Sequence, residues 1–161
     1  QRKETLSRIS DVVNKYKIPV DLLEFELTEN AMFEKMVFLA DFGQKLRKNG
    51  FSISIDDFGS GYSSLNMLKD VEVDVLKLDK AFFENENQER GNQVISKFIE
   101  LSKSLHMKVV SEGVETQEQV DFLTEVGCDM VQGYYFARPM PAEEFEEKYL
   151  KNQNVNDNEK A

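Results

Sequence analysis

Five short apolar segments alternate with helical segments along the chain, and this alternation restricts the fold more than any other feature. The segments between them carry apolar residues at helical spacing, as at Phe33, Val37 and Phe38. Strands that alternate regularly with helices form parallel βα units with right-handed crossovers. We therefore predict an α/β fold with a parallel sheet or barrel. The predicted strands are 22–27, 51–56, 73–78, 107–110 and 130–132.

The predicted helices have recognisable ends. The first ends before Pro19, because proline disfavours helix in the preceding residue. The second, after a cap at Thr28 or Asn30, ends at Gly50, a residue type that commonly follows a helix C-terminus. Residues 151–161 are polar and lack apolar periodicity, so we expect a disordered tail after a folded part at 1–150. Further helices are predicted at 64–69, 92–105, 117–126 and 142–150.

The charge balance limits the partners of the chain. Thirty acidic and 20 basic residues give a net charge of -10, which argues against binding to long nucleic acids. No apolar run approaches the length of a membrane span, and the single Cys128 excludes an internal disulfide. We therefore expect a cytoplasmic chain in which a small anionic ligand would need local help, such as a divalent metal.

Polar residues recur at the carboxyl ends of the predicted strands. These ends converge on one face of a parallel barrel, where barrel enzymes build their active sites. Clustered carboxylates repel one another unless some are protonated or cations neutralise them. All-oxygen ligation favours Mg²⁺ or Mn²⁺ over zinc, and adjacent acids could let one carboxylate bridge two metals. The polar residues at or just beyond the predicted strand ends are Glu26, Asp56, Asp57, Lys77, Glu112, Glu115 and Gln132.

Each of these residues also has a purely structural interpretation. Asp56, Asp57 and Glu112 could cap the helices that follow them. Lys77 could be a solvated residue at a strand end, or it could orient a water nucleophile and neutralise phosphate charge. The single histidine, His106, precedes a strand at the opposite face, which favours a structural role. The recurrence of acids on one face is what favours a site.

Five motifs follow one another along the chain. They are Glu26 to Glu29 (ELTE), Asp56 to Leu65 (DDFGSGYSSL), Lys77 to Asp79 (KLD), Glu112 to Thr116 (EGVET) and Gln132 to Pro141 (QGYYFARPMP). In order and spacing they resemble the motifs of the EAL-domain family. The resemblance extends to about Leu150, and the second and fourth motifs are the most specific.

This resemblance implies a TIM-like barrel enzyme that hydrolyses cyclic di-GMP to linear pGpG with Mg²⁺ or Mn²⁺. By motif position, the implied metal ligands are Glu26, Asp56, Asp57 and Glu112, with Asp56 bridging. Catalytic roles fall to Lys77, Glu112 and Asp56, and Lys77 resembles the lysine that holds the attacking water. Gln132, which resembles a ligand of metal-bound water, is assigned to substrate binding together with Asp79 and Arg138. Glu29 resembles the acid that fixes the loop after Asp57, a loop linked in the family to dimerisation, and Glu115 resembles a residue that supports the ligands.

The family's Glu-Ala-Leu strand and the next strand, which supply a glutamate and an asparagine ligand, are expected upstream of Gln1. The chain would then carry about five C-terminal βα units of a barrel that typically needs about 250 residues. We expect such a fragment to be inactive alone. Its open sheet edges and exposed apolar side chains predict self-association, for example as a dimer. Any membrane attachment would come from other parts of the parent protein.

Two other functions are consistent with the same residues. A degenerate barrel could bind cyclic di-GMP or dock a protein without hydrolysis. An unrelated barrel with an oxygen-ligated metal could act on another phosphoester or a sugar acid, and it would then be indifferent to cyclic di-GMP.

Overall fold

The computed structural model of the chain describes residues 2–28, 31, 41–59, 68–69, 71–83 and 88–151. The predicted helix cap at Asn30, most of the predicted helices at 33–46 and 64–69, and nearly all of the predicted tail lie outside these residues. The described part contains a parallel sheet with helices between its strands. The predicted α/β class is therefore confirmed.

Within the described residues the sheet has five strands, and their order across the sheet is also their order along the chain. All neighbouring strands are parallel. Strands β1 and β5 form the two ends of this sheet, so it has the topology of part of a barrel. The strands are β1 (Glu24–Thr28), β2 (Ser52–Phe58), β3 (Val75–Leu78), β4 (Lys108–Ser111) and β5 (Met130–Val131).

The helices follow the predicted order. A capping box fixes the N-terminus of the helix Gln117–Glu125, where the Thr116 side chain accepts from Gln119 N and the Gln119 side chain accepts from Thr116 N. After α2, Gly50 has a φ of 87°, as expected for a residue just past a helix end. The helices are α1 (Arg2–Tyr16), α2 (41–48), α3 (Gln88–Ser104), α4 (Gln117–Glu125) and α5 (Ala142–Phe145).

Most predicted element boundaries differ from the structure by a few residues. The third strand begins at Val75 rather than Val73, and the helix predicted from Asn92 begins at Gln88. The first strand begins at Glu24 rather than Leu22, because Val20–Leu22 forms a 3₁₀ turn. The second strand continues past Asp56 to Phe58. The last helix is α-helical only over Ala142–Phe145 and continues as a π-helix over Glu146–Lys151.

The two faces of the sheet differ in chemistry because side chains alternate along each strand. One face joins the helices in an apolar core that includes Ile55, Leu76 and Val109 from the strands and Ile99 from α3. The other face presents the alternate residues, among them Glu26, Asp56 and Lys77. The core thus covers one face of the sheet, and the other face carries these polar side chains together with the apolar Val75 and Val110. Within the described residues, no helix combines the length and the apolar character needed to cross a membrane.

Candidate active site

The carboxyl edge of the sheet gathers most of the polar side chains predicted from the sequence. Because the strands are parallel and in register, the ends of all five lie at this edge. His106 lies at the other edge, exposed in the turn before β4. The residues that the structure brings to the carboxyl edge are Glu26, Asp56, Asp57, Lys77, Glu112 and Gln132.

Lys77 is the centre of an ion-pair cluster at this edge. Its Nζ donates to Glu26 Oε1 at 2.7 Å and to Asp56 Oδ1 at 2.9 Å. The same Nζ lies 2.8 Å from Glu112 Oε1. Lys77 is only 8% exposed and its partners Asp56 and Glu112 are partly buried, whereas Glu26 is exposed to water. One ammonium thus joins acids from the middle of β1, from the carboxyl half of β2 and from the residue that follows β4.

The environment of Lys77 keeps its side chain protonated. Burial by itself lowers the pKa of this lysine, because it disfavours the charged form. Hydrogen bonds to Glu112, Glu26 and Asp56 outweigh burial and raise the pKa above its ordinary value. At neutral pH Lys77 is therefore a hydrogen-bond donor and a fixed positive charge rather than a base.

A β-bulge in β2 places two consecutive aspartates near the same point. Ile55 pairs with Leu76 and Phe58 pairs with Leu78, so two residues of β2 lie opposite one residue of β3. Asp57, the second of these two, has a φ of 56°, an uncommon conformation for a residue other than glycine.

Consecutive residues of a regular strand point to opposite faces, and the bulge removes this separation. Carboxylate oxygens of Asp56, Asp57 and Glu112 all lie within 4.8 Å of one another. Although Asp57 is exposed, partial desolvation raises its pKa, and the negative charges of Asp56 and Asp79 raise it further. The site therefore carries more negative charge than its lysine compensates.

The donor set fits a divalent cation. Four carboxylates, those of Glu26, Asp56, Asp57 and Glu112, face one ammonium at this edge. Their ligand atoms are all oxygens, which suit Mg²⁺ and Mn²⁺. Asp56, Asp57 and Glu112 are close enough to share one ion, whereas Glu26 contacts the cluster through Lys77.

The three predicted substrate contacts lie close to this edge. Asp79 follows β3, and its Oδ1 accepts a hydrogen bond from Ala81 N at 2.8 Å. Gln132 follows β5 and is exposed. The guanidinium carbon of Arg138 lies 4.4 Å from the centroid of the Tyr134 ring. Gln132 and Arg138 line one open cavity of about 880 Å³.

The two predicted supporting acids are not part of the carboxylate cluster that the structure describes. Glu115 is exposed, and its backbone N–H donates to Gln119 Oε1 at 2.7 Å. This backbone contact involves Gln119, the residue that also forms the capping box of α4. The supporting role of the Glu115 side chain stays a prediction. Glu29 lies outside the described residues.

Sequence reasoning missed two groups of aromatic residues near the site. Tyr134, which is 53% exposed, lies under Arg138 and next to Gln132. Phe82 packs against Gly59, two residues after Asp57. The Tyr-Tyr-Phe run after Gln132 was a usable signal for the first group, since a strand end followed by three aromatics is unusual. The second contact depends on tertiary packing.

Comparisons with known proteins point to one family. A family model described as EAL domain matches residues 1–139. Signaling protein YkoW of Bacillus subtilis is 39% identical over 148 residues, which are 91% of this chain and 18% of that protein. Cyclic di-GMP phosphodiesterase NbdA of Pseudomonas aeruginosa is 43% identical over 126 residues, which are 78% of this chain and 16% of that protein.

A solved structure agrees with this result. The PaMucR phosphodiesterase in complex with c-di-GMP matches with a TM-score of 0.79 and 35% identity, covering 87% of this chain and 57% of that one. The chain thus spans less than a fifth of the first two relatives and little more than half of this solved structure. The match contradicts the hypothesis of an unrelated barrel.

Proposed function

The chain belongs to the EAL-domain family, and we propose on this basis that it is part of a metal-dependent phosphodiesterase that hydrolyses cyclic di-GMP to linear pGpG. The observation that carries the proposal is the cluster in which Lys77 contacts Glu26, Asp56 and Glu112 at the carboxyl edge of a parallel sheet. The names of the relative NbdA and of the PaMucR structure support the same activity.

We assign the metal-binding role to Glu26, Asp56, Asp57 and Glu112. Asp56 is the candidate bridging ligand by its motif position, and its carboxylate lies within 4.8 Å of those of Asp57 and Glu112. Bound Mg²⁺ or Mn²⁺ would lower the pKa of a coordinated water and offset charge on the phosphate. The protein's own contribution is to hold these acids together against their mutual repulsion, which the ammonium of Lys77 reduces.

Lys77 acts in this proposal as a donor and as a positive charge. Its raised pKa keeps Nζ charged, and its three N–H groups are directed to Glu26, Asp56 and Glu112, so donation to an attacking water requires one of these acids to turn away from Lys77. Contacts of 2.7 to 2.9 Å with three acids fix the position of Nζ.

Substrate contacts are assigned to Asp79, Gln132 and Arg138. The guanidinium of Arg138 stacks on Tyr134, which orients a positive group beside Gln132 at the end of β5. Guanidinium groups suit phosphate and planar bases alike. Glu115 and Glu29 are assigned to supporting roles, and the folded part is assigned to residues 1–150. A cytoplasmic location is part of the same proposal.

The proposal includes a requirement for the rest of an EAL domain. The chain covers 57% of the PaMucR chain, and its sheet has five strands with β1 and β5 at its ends. Unpaired strand edges favour association with other chains. We therefore expect the isolated chain to be inactive and to self-associate, with a dimer as the simplest form, which light scattering would detect.

The test is turnover of cyclic di-GMP in Mn²⁺ by this chain and by a version extended upstream to the length of an EAL domain. We expect pGpG only from the extended protein. Asp56→Ala should abolish it, whereas the matched control Asp121→Ala, an exposed aspartate on α4, should retain it. An extended protein that binds cyclic di-GMP and never cleaves it would instead establish a non-catalytic binding module.

A further inference from the structure

A short 3₁₀ turn after β3, Lys80–Phe82, lies between two of the proposed metal-binding segments. Asp79 fixes the start of this turn: its Oδ1 accepts from Ala81 N at 2.8 Å, and its backbone N–H donates to Phe58 O at 3.2 Å. Hydrogen bonds of Asp79 thus stabilise the turn internally and connect it to the end of β2.

The ring of Phe82 lies against the segment that follows Asp57. A Cβ added to Gly59 would lie 1.9 Å from Cε2 of Phe82, so the ring occupies the space that any side chain at position 59 would need. Gly59 has a φ of 98° and Asp57 has a φ of 56°. Two left-handed residues within three positions form a conformation that the surrounding structure has to hold in place.

The stem of Lys80 makes an equivalent contact with the segment that follows Glu112. A Cβ added to Gly113 would lie 2.4 Å from the Cβ of Lys80. Gly113 also has a positive φ, 67°. One turn therefore packs against two left-handed glycines, each within two residues of a proposed metal ligand.

An aromatic cluster holds the turn in this position. The ring centroids of Phe82 and Phe98 are 5.7 Å apart, and those of Phe98 and Phe58 are 5.5 Å apart, both edge to face. Phe58 is fully buried and lies between Asp57 and Gly59 in the chain. Phe58 of β2 thus contacts Phe98 of α3, Phe98 contacts Phe82, and Phe82 contacts Gly59, which follows Phe58 in the chain.

We propose that the Lys80–Phe82 turn is a positioning element that sets the backbone at Asp57 and at Glu112 together, with the Phe82 ring as its principal part. This inference rests on the proposed function, because it concerns the same metal site. The Phe82 ring packs on Gly59 and Phe98, and the backbone N–H of Phe82 donates to Asp79 O at 3.2 Å. It acts through Gly59 and the bulge.

The experiment uses the chain extended upstream to the length of an EAL domain and compares Phe82→Leu with Phe83→Leu. Phe83 is the matched control, because it is the next residue, is also partly buried and also packs against the core. The readouts are the Mn²⁺ concentration for half-maximal turnover and kcat at saturating Mn²⁺. Unfolding by urea is followed for each variant at the same temperature.

We expect Phe82→Leu to raise the half-maximal Mn²⁺ concentration at least about ten-fold, the range found when residues that orient metal ligands are changed. Saturating Mn²⁺ should restore most of kcat, since the reacting groups are intact. Phe83→Leu should change the half-maximal concentration less than about two-fold.

Two other outcomes are distinguishable. Equal shifts in both phenylalanine variants, in proportion to their loss of stability, would overturn the positioning role and leave the proposed function intact. Turnover by the unsubstituted protein that is independent of divalent metal would overturn the proposed metal site, and with it this inference.

Discussion

Replacement of Lys77 by methionine tests whether this lysine holds the acid cluster together. Methionine keeps the length of the side chain and removes the charge that contacts Glu26, Asp56 and Glu112. The three carboxylates then lie close together with no neutralising group between them. We expect the free energy of unfolding to fall in metal-free buffer containing EDTA.

The magnitude follows from the exposure of the three partners. The side chains of Asp56 and Glu112 are 21% and 20% exposed, so each contact contributes about 1 kcal/mol. The side chain of Glu26 is 51% exposed, and solvent screening reduces its contact to about 0.3 kcal/mol. The expected loss is therefore about 2 kcal/mol, and added Mn²⁺ should reduce it by neutralising the same acids.

The pH dependence has a definite sign. Hydrogen bonds to the acids raise the pKa of Lys77 above its ordinary value in the folded state, against the effect of burial. A raised pKa stabilises the fold fully below the unfolded value of about 10.4, and this contribution is lost as pH rises through the folded value. The difference between wild type and Lys77→Met should therefore be constant between about pH 6 and pH 10.

The assay is urea unfolding followed by circular dichroism, with Lys108→Met as the control. Lys108 is an exposed lysine on β4, so its replacement changes the net charge equally. We expect the control to change stability by less than about 0.5 kcal/mol. If Lys77→Met were as stable as wild type, the argument that this lysine offsets repulsion among the acids would be refuted.

Two further predictions concern Cys128 and Asp129, which directly precede β5 at the amino edge of the sheet. Burial raises the pKa of the Cys128 thiol. Alkylation of Cys128 by iodoacetamide at pH 8 should therefore be several-fold slower in the folded chain than for free cysteine, and unfolding in urea should remove the difference. Equal alkylation rates in the folded and the unfolded chain would contradict this prediction. Asp129→Ala removes the Oδ2 acceptor that lies 2.8 Å from Val109 N. The free energy of unfolding in urea should fall by about 1 to 2 kcal/mol. The control is Glu125→Ala, at an exposed residue of α4, and an equal loss of stability in both variants would refute the role of this hydrogen bond.

The strand ends could be predicted from sequence because two local signals coincide there. Short apolar segments such as 51–56 mark the buried strands, and the acids directly after them mark the carboxyl edge. Parallel pairing then places Asp56 and Glu112 at one edge without further information. Most of the site was predictable in this way, since each residue depends only on its own strand.

The details that relate the strands to one another were not predictable from these signals. The bulge that brings Asp57 beside Asp56 depends on the pairing of β2 with β3, because a regular strand would point the two apart. The packing of Phe82 on Gly59 depends on α3, which supplies Phe98. The π-helix at Glu146–Lys151 follows a segment with ordinary helical spacing, and nothing in the structure explains it.

The distribution of charge decides how so acidic a chain can hold an anionic ligand. The net charge is -10, and the carboxyl edge carries four acids of the proposed site. Lys77 cannot attract phosphate by itself, because three acids already surround its ammonium. Arg138 supplies a positive group near this edge, but one guanidinium does not balance the cluster. A divalent cation among the acids would change the sign of the local field, so the proposed function predicts that binding of cyclic di-GMP, and not only its cleavage, requires the metal.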